Sequence, residues 1–274
     1  MRYTIQACKY VIKNFFYVLP FVILPALFFS VSTDEKAIEC LMDTLLAGDF
    51  SKLHFSHIFY AISIFNFSSW KAVGSGAVGI IALVFCVALL MAMLEKHMRI
   101  GKRTFNGVFS KLNDNFISTC GYALLLLAIY EVWTLLTSAL LFLVSRFTVG
   151  VLAYILCALV YLGMHVVLLY AVSIIYLWLP CMQITGFRAT EALYYSNRLA
   201  NPVKWRILLG QILFLFVSET TVCLCVLFAP NPVLLMVLTT SFYAILIMVY
   251  CVRMQIAYFD LDNIERADLK RYYR

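Results

Sequence analysis

An all-α, polytopic membrane fold with six spans is what this sequence predicts, and three observations predict it. Of its 274 residues 64% are hydrophobic and only 13% charged, with a mean hydropathy of +0.93, too little polar surface to coat a soluble globule of that size. Uncharged apolar runs recur at roughly 12–31, 72–94, 116–145, 149–179, 207–229 and 233–252, each near or above the ~20 residues that cross a bilayer core. The cationic residues are also distributed very unevenly among the connections.

The first run, Phe15 to Val31, follows Arg2, Lys9 and Lys13 and leads into an acidic stretch with no small-x-small cleavage pattern. It is expected to stay as a span and not to be removed as a signal peptide. The third and fourth runs are long, which predicts tilt or outward projection. Six spans with their connections use up residues 1–274, so one membrane domain is expected. Most of the nine cysteines lie within apolar runs (Cys86, Cys120, Cys157, Cys223, Cys225 and Cys251), and only Cys40 falls in an outward loop. No disulfide framework is expected.

Basic residues resist translocation and so set orientation. Seventeen Lys and Arg fall at the N-terminus, between spans two and three, between spans four and five, and from Arg253 onward. Only Lys36, Lys52, Lys71 and Arg146 fall on the other side, beside Asp34, Glu35, Glu39, Asp43 and Asp49. Both termini are therefore predicted to be cytoplasmic. The net charge of +7 then follows from topology and anionic headgroups, with no need for a nucleic acid. Lys96, Arg99, Lys102, Arg103, Arg188 and Arg198 are the expected contacts to anionic lipid or to a partner, and His97 among them is read as a further lipid contact.

The outward segment 32–71 holds an amphipathic pattern. Ser32 and Glu35 suggest a capping box, Ile38, Leu41, Met42, Leu45 and Leu46 follow at helical spacing, and Gly48 is a stop signal. The stretch Phe55–Phe67, broken by Ser, His and Asn, is expected to be interfacial or re-entrant. A seventh span there would put the basic residues after span two outside. The inner loops 101–116 and 186–206 each contain apolar residues at short helical spacing before a new span with a central glutamate, Glu131 or Glu219. They read either as a repeat of about 85–90 residues or as chance similarity among apolar helices.

The run Leu179-Pro180 through Gly186, Glu191-Ala192-Leu193, Ser196, Arg198-Leu199, Trp205-Arg206 and Gly210 resembles prokaryotic six-helix membrane families. These include YciC-like proteins and the membrane domain joined to some glycerophosphodiester phosphodiesterases. The loop Gly101–Phe116 is similar to that of YesL-like proteins. The likeness covers about 70 residues and implies a bacterial plasma-membrane protein with short amphipathic helices in its cytoplasmic loops. The phosphodiesterase catalytic domain has no counterpart in the chain.

Ionisable residues inside spans are costly and usually face the bundle interior, which singles out Glu131, His165 and Glu219. Glu131 and His165 lie equally far from residue 148, the expected turn between spans three and four, so an antiparallel hairpin puts them at one depth. With Glu219 they would form a buried polar cluster, with Gln211 or Tyr130 nearby. It would serve either as a proton or cation relay or as a static hydrogen-bonded plug. Under the relay reading, Glu131→Gln or Glu219→Gln would abolish a proton-coupled flux.

Val73-Gly74-Ser75-Gly76-Ala77-Val78-Gly79 looks like the serine motif of rhomboid intramembrane proteases, but Val73 stands where that motif has Gly, and Ser75 lies nearer the outer surface than His165. The small residues are read more simply as a close-packing face. No HExxH, CxxC, Walker A or dinucleotide motif occurs, so no metal and no cofactor is expected. His54 and His57 with Asp49 are the one outer-surface metal alternative. The expected function is a non-enzymatic, transporter-like or accessory envelope subunit. An intramembrane lipid-processing or proteolytic enzyme is the alternative from another class. A third is a structural partner of another membrane protein or of itself, associating through span two and Thr239-Thr240-Ser241.

Overall fold

The computed structural model describes residues 2–48, 53–64, 66–229 and 231–269, and contains helices but no strand among them. The N-terminal helix α1 (Arg2–Lys13) buries Ala7, Tyr10 and Val11. The first apolar run follows, but not as one rod. It is split into α2 (Phe15–Val18), a 3-10 turn (Leu19–Phe21) and α3 (Ile23–Ser32), with a bend of 58° between its halves. Pro20 explains the break, because its ring removes an N–H and clashes with the carbonyl one turn back. The described residues thus include five helical stretches long and apolar enough to span a bilayer, or six if this bent pair counts as one.

In the segment that follows, α4 (Glu35–Ala47) ends at Gly48, whose φ of +71° is the left-handed cap that glycine adopts without strain. Its N-cap is Asp34 and not Ser32, since the Asp34 carboxylate accepts from Ala37 N at 3.1 Å. Ser32 instead closes α3 and donates to the carbonyl of Ile64. Helix α4 does not merely lie on the surface: Ile38 is buried with Val226 and Leu235. Helix α5 (Phe55–Ile62) packs on α4 and on α7.

The long helices come next. They are α6 (Trp70–Ile100), α7 (Leu112–Phe147), α8 (Gly150–Ile175), α9 (Trp178–Thr185), α10 (Ala189–Ala200), α11 (Lys204–Phe228) and α12 (Pro232–Leu261). Their ends follow local chemistry. Ser69 caps α6 and Asn231 caps α12 through side-chain oxygens, Pro232 sits in the first turn of α12, and Gly101 and Gly186 close α6 and α9. Pro180 in the first turn of α9 accounts for the break after α8. Of the two basic connections, 186–206 forms the amphipathic helix α10, whereas 101–111 has only a 3-10 turn, Phe109–Lys111.

Helices α6 and α12 form the centre, with Leu90, Met91, Met93, Leu94, Ile256, Tyr258 and Phe259 nearly inaccessible. Helix α3 packs on both. The small residues of span two serve that contact: a Cβ on Gly79 would lie 3.1 Å from Phe29, and one on Gly76 would lie 3.0 Å from the Ser32 hydroxyl. Thr239 on α12 hydrogen-bonds to the Ser30 hydroxyl of α3, so it is spent within the chain and is not open to a partner. By contrast α7 and α8 leave Leu124, Leu136, Leu140, Ile155, Leu159 and Val166 exposed, an apolar surface suited to lipid.

Helix α1 is tied to the far end of α12. Tyr3 donates to Asp260 at 2.8 Å and Arg2 pairs with it at 3.3 Å, so the start of α1 and the end of α12 share one end of the bundle. Burial and the Asp260 carboxylate push the Tyr3 phenol up to about 12.

Candidate functional site

His165 lies on α8 and Glu219 on α11, at the face where these helices pack. His165 is only 1% exposed. Its Nδ1 is 2.8 Å from the carbonyl of Tyr161, one turn back. A carbonyl can only accept, so Nδ1 carries a hydrogen. Its Nε2 is 2.8 Å from Glu219 Oε1, so a single proton serves both atoms. The pair is either neutral imidazole with carboxylic acid or imidazolium with carboxylate, and in both forms its net charge is zero. Electroneutrality is what lets two ionisable groups sit in an apolar bundle.

The second Glu219 oxygen, Oε2, accepts from the Tyr161 hydroxyl at 2.6 Å. Tyr161 therefore holds both members, His165 through its main chain and Glu219 through its side chain. Trp133 meets the His165 ring edge-on at 4.9 Å and Phe216 stacks on it at 5.8 Å, which fixes the imidazole plane. The Glu219 side chain keeps 27% exposure against 2% for His165, so Glu219 is the member of the pair nearer the bundle surface.

Glu131 has different surroundings. Trp133 donates from its indole to Met164 O at 2.6 Å, so Glu131 lies within two residues, or about 3 Å, of the His165 level. Its carboxylate, however, takes Ser63 Oγ at 2.9 Å and Ile64 N at 3.0 Å. Tyr130 beside it donates to Ile62 O at 2.7 Å. Tyr130 thus satisfies a carbonyl at the C-terminal end of α5, where the last carbonyls lack helical partners, and Glu131 holds the two residues that follow the helix. The Phe55–Phe67 stretch, apart from Phe65, which lies outside the described residues, packs on α7 and meets its carboxylate.

The expected cluster therefore divides into a His165–Glu219 pair and a Glu131 cap. Gln211 is about 12 Å along α11 from Glu219 by helical rise; it is 3% exposed, and both ends of its amide lack a hydrogen-bond partner. Ser75 donates to Lys71 O at 2.8 Å, the bond of an ordinary helical serine. His57 Nδ1 lies 3.2 Å from the Cys40 thiol and His54 packs edge-on against His57. Asp49, the third member of that metal alternative, lies outside the described residues, as does Lys52.

The basic residues divide as well. Lys96 reaches the Asn106 carbonyl, Arg99 pairs with buried Glu95 at 3.2 Å beside Lys111 at 3.0 Å, and Arg103 donates to Lys13 O at 3.1 Å. Lys102, Arg188 and Arg198 are exposed, the Arg188 main chain donating to Glu191 at 3.4 Å. His97 is no lipid contact: it is 6% exposed, hydrogen-bonded to Tyr10 and edge-on to Tyr17. Its basic neighbours in sequence mislead, because the side chains of Tyr10 and Tyr17 cover it.

Sequence reasoning missed Tyr161, although its spacing of four before His165 puts both on one helix face. It also missed Arg253, which is 2% exposed and donates to Gly210 O at 3.3 Å and Ile207 O at 3.0 Å. Gly210 lets the guanidinium approach closely, since a Cβ there would stand 2.9 Å from it and the arginine end would have to shift. No family model, curated protein or solved structure matches this chain.

Proposed function

We propose that this chain is a non-enzymatic, transporter-like or accessory subunit of the bacterial plasma membrane, whose His165–Glu219 pair takes up and releases a proton during its cycle. One observation carries the reading: two ionisable side chains 2.8 Å apart share one proton inside a helix bundle, with one of them partly accessible. Intramembrane ionisable residues arranged this way mark proton pathways. The alternation of basic and acidic connections supports six spans with both termini inside, and the meeting of α1 with the end of α12 agrees with an even number of crossings. The likeness of residues 179–210 to YciC-like proteins supports the same cellular setting, with anionic lipid and a membrane partner or second copy as its neighbours.

The test is proton flux in proteoliposomes under an imposed pH gradient, followed by an entrapped fluorescent indicator. Glu219→Gln is expected to lower the rate at least about tenfold, while Glu131→Gln, which keeps one acceptor oxygen for the α5 end, retains most of it. A wild-type flux in Glu219→Gln, in protein that melts normally, would overturn the reading.

A further inference from the structure

At the end of the bundle where α1 and the connection after α6 meet the 3-10 turn Ala267–Leu269, a cavity of about 750 Å³ is lined by Lys13, Asn14, His97, Lys102, Arg103 and Asp268. Three permanent cations face one carboxylate there. Lys13 and Lys102 have no hydrogen-bonded or ion-paired acceptor among the described residues, and Arg103 spends one N–H group on the Lys13 carbonyl. His97 adds another donor. Burial pushes the Tyr10 phenol up, so Tyr10 keeps its proton and donates to His97 Nδ1; a neutral imidazole then carries its hydrogen on Nε2.

Two details give this cavity a preferred ligand. Asn14 is 3% exposed, and while its Nδ2 donates to Tyr10 O at 2.9 Å, its buried Oδ1 has no partner. An unsatisfied buried acceptor among cations asks for an anion that also carries a hydrogen. A phosphomonoester has that character, since its second ionisation lies near neutrality. The other detail is that the one carboxylate lining the cavity, Asp268, is held by a cation from outside the lining. Its carboxylate is 6% exposed and is gripped by Arg266 through Nε at 3.2 Å and Nη2 at 2.8 Å.

We propose that this cavity binds a phosphomonoester group, from a lipid headgroup or a small soluble phosphate, and that Asp268 is the internal anion it displaces. Occupancy then frees the 3-10 turn from α6, giving Ala267–Leu269 a ligand-dependent position. The lipid source rests on the reading of this end as the one facing the anionic inner leaflet; the soluble source does not.

The experiment uses the full chain in phosphatidylcholine nanodiscs, titrated with glycerol 3-phosphate or reconstituted with phosphatidic acid, with phosphatidylglycerol as the phosphodiester control. Lys102→Gln with Arg103→Gln is expected to weaken binding at least about tenfold, and Asp268→Asn to tighten it about tenfold by removing the competing carboxylate. Lys71→Gln, an exposed cation about 39 Å along α6 from His97 by helical rise, leaves it unchanged. Binding of phosphatidic acid alone assigns the lipid source, and binding of glycerol 3-phosphate assigns the soluble one with the topology reading independent of it. The proposal is overturned if neither probe binds, if Lys71→Gln weakens binding as much as the double variant, or if Asp268→Asn leaves affinity unchanged. Should the double variant fail to fold, wild type against Asp268→Asn still decides.

Discussion

Glu131 and Glu219 are both glutamates near the middle of long apolar helices, yet their neighbours give them opposite characters. Glu131 receives a hydroxyl and a main-chain N–H from Ser63 and Ile64, donors that cannot take the proton away. Glu219 receives a tyrosine hydroxyl and faces an imidazole that can exchange a proton with it. A mid-span carboxylate is therefore not by itself a relay. The partner decides whether it fixes structure or handles protons.

Removing the Glu131 carboxylate sharpens this contrast most. Glu131→Ala leaves two donors at the α5 end without an acceptor, and we expect a loss of about 2–4 kcal/mol in reversible unfolding from detergent, accompanied by faster amide exchange in residues 58–64. Glu219→Gln, tested the same way, keeps its shape and its Tyr161 acceptor and should cost under about 1 kcal/mol. Equal losses would break the distinction between cap and relay.

A smaller effect is expected for Tyr130→Phe, which removes one hydrogen bond to Ile62 O and should cost about 1 kcal/mol, again confined to α5 exchange. Asp34→Ala probes the other helix of the same segment. It removes the acceptor for Ala37 N and should cost about 0.5–2 kcal/mol, with no change in proton flux. A flux change in either variant would tie this segment to the proposed relay and dissolve the separation drawn between the two carboxylates.

The packing of span two shows how a motif is read correctly only with its neighbour in place. The small-residue stripe from Ala72 to Gly79 fits a close contact and also a protease serine loop. Phe29 against Gly79 and the Lys71 carbonyl against Ser75 favour the first. The capping residue of α4 illustrates the reverse difficulty: Ser32 and Asp34 are both good caps, and only the length of α3 assigns Ser32 to the preceding helix. His97 looked exposed from its basic neighbours, and the Tyr10 and Tyr17 side chains bury it.

By itself the sequence determined the helical class, the number and approximate bounds of the apolar runs, the polarity of the connections and the three costly ionisable groups. Those follow from composition, period and the expense of charge in hydrocarbon, which are local properties of the chain. Tertiary structure alone decided the packing of α5 on α7, the pairing of His165 with Glu219 while Glu131 turned to Ser63 and Ile64, and the meeting of Asp268 with Lys13, Lys102 and Arg103 around one cavity. The reason is rotational: on a helix that is apolar nearly all round, periodicity cannot say which face meets which neighbour, and that is set only when the helices pack.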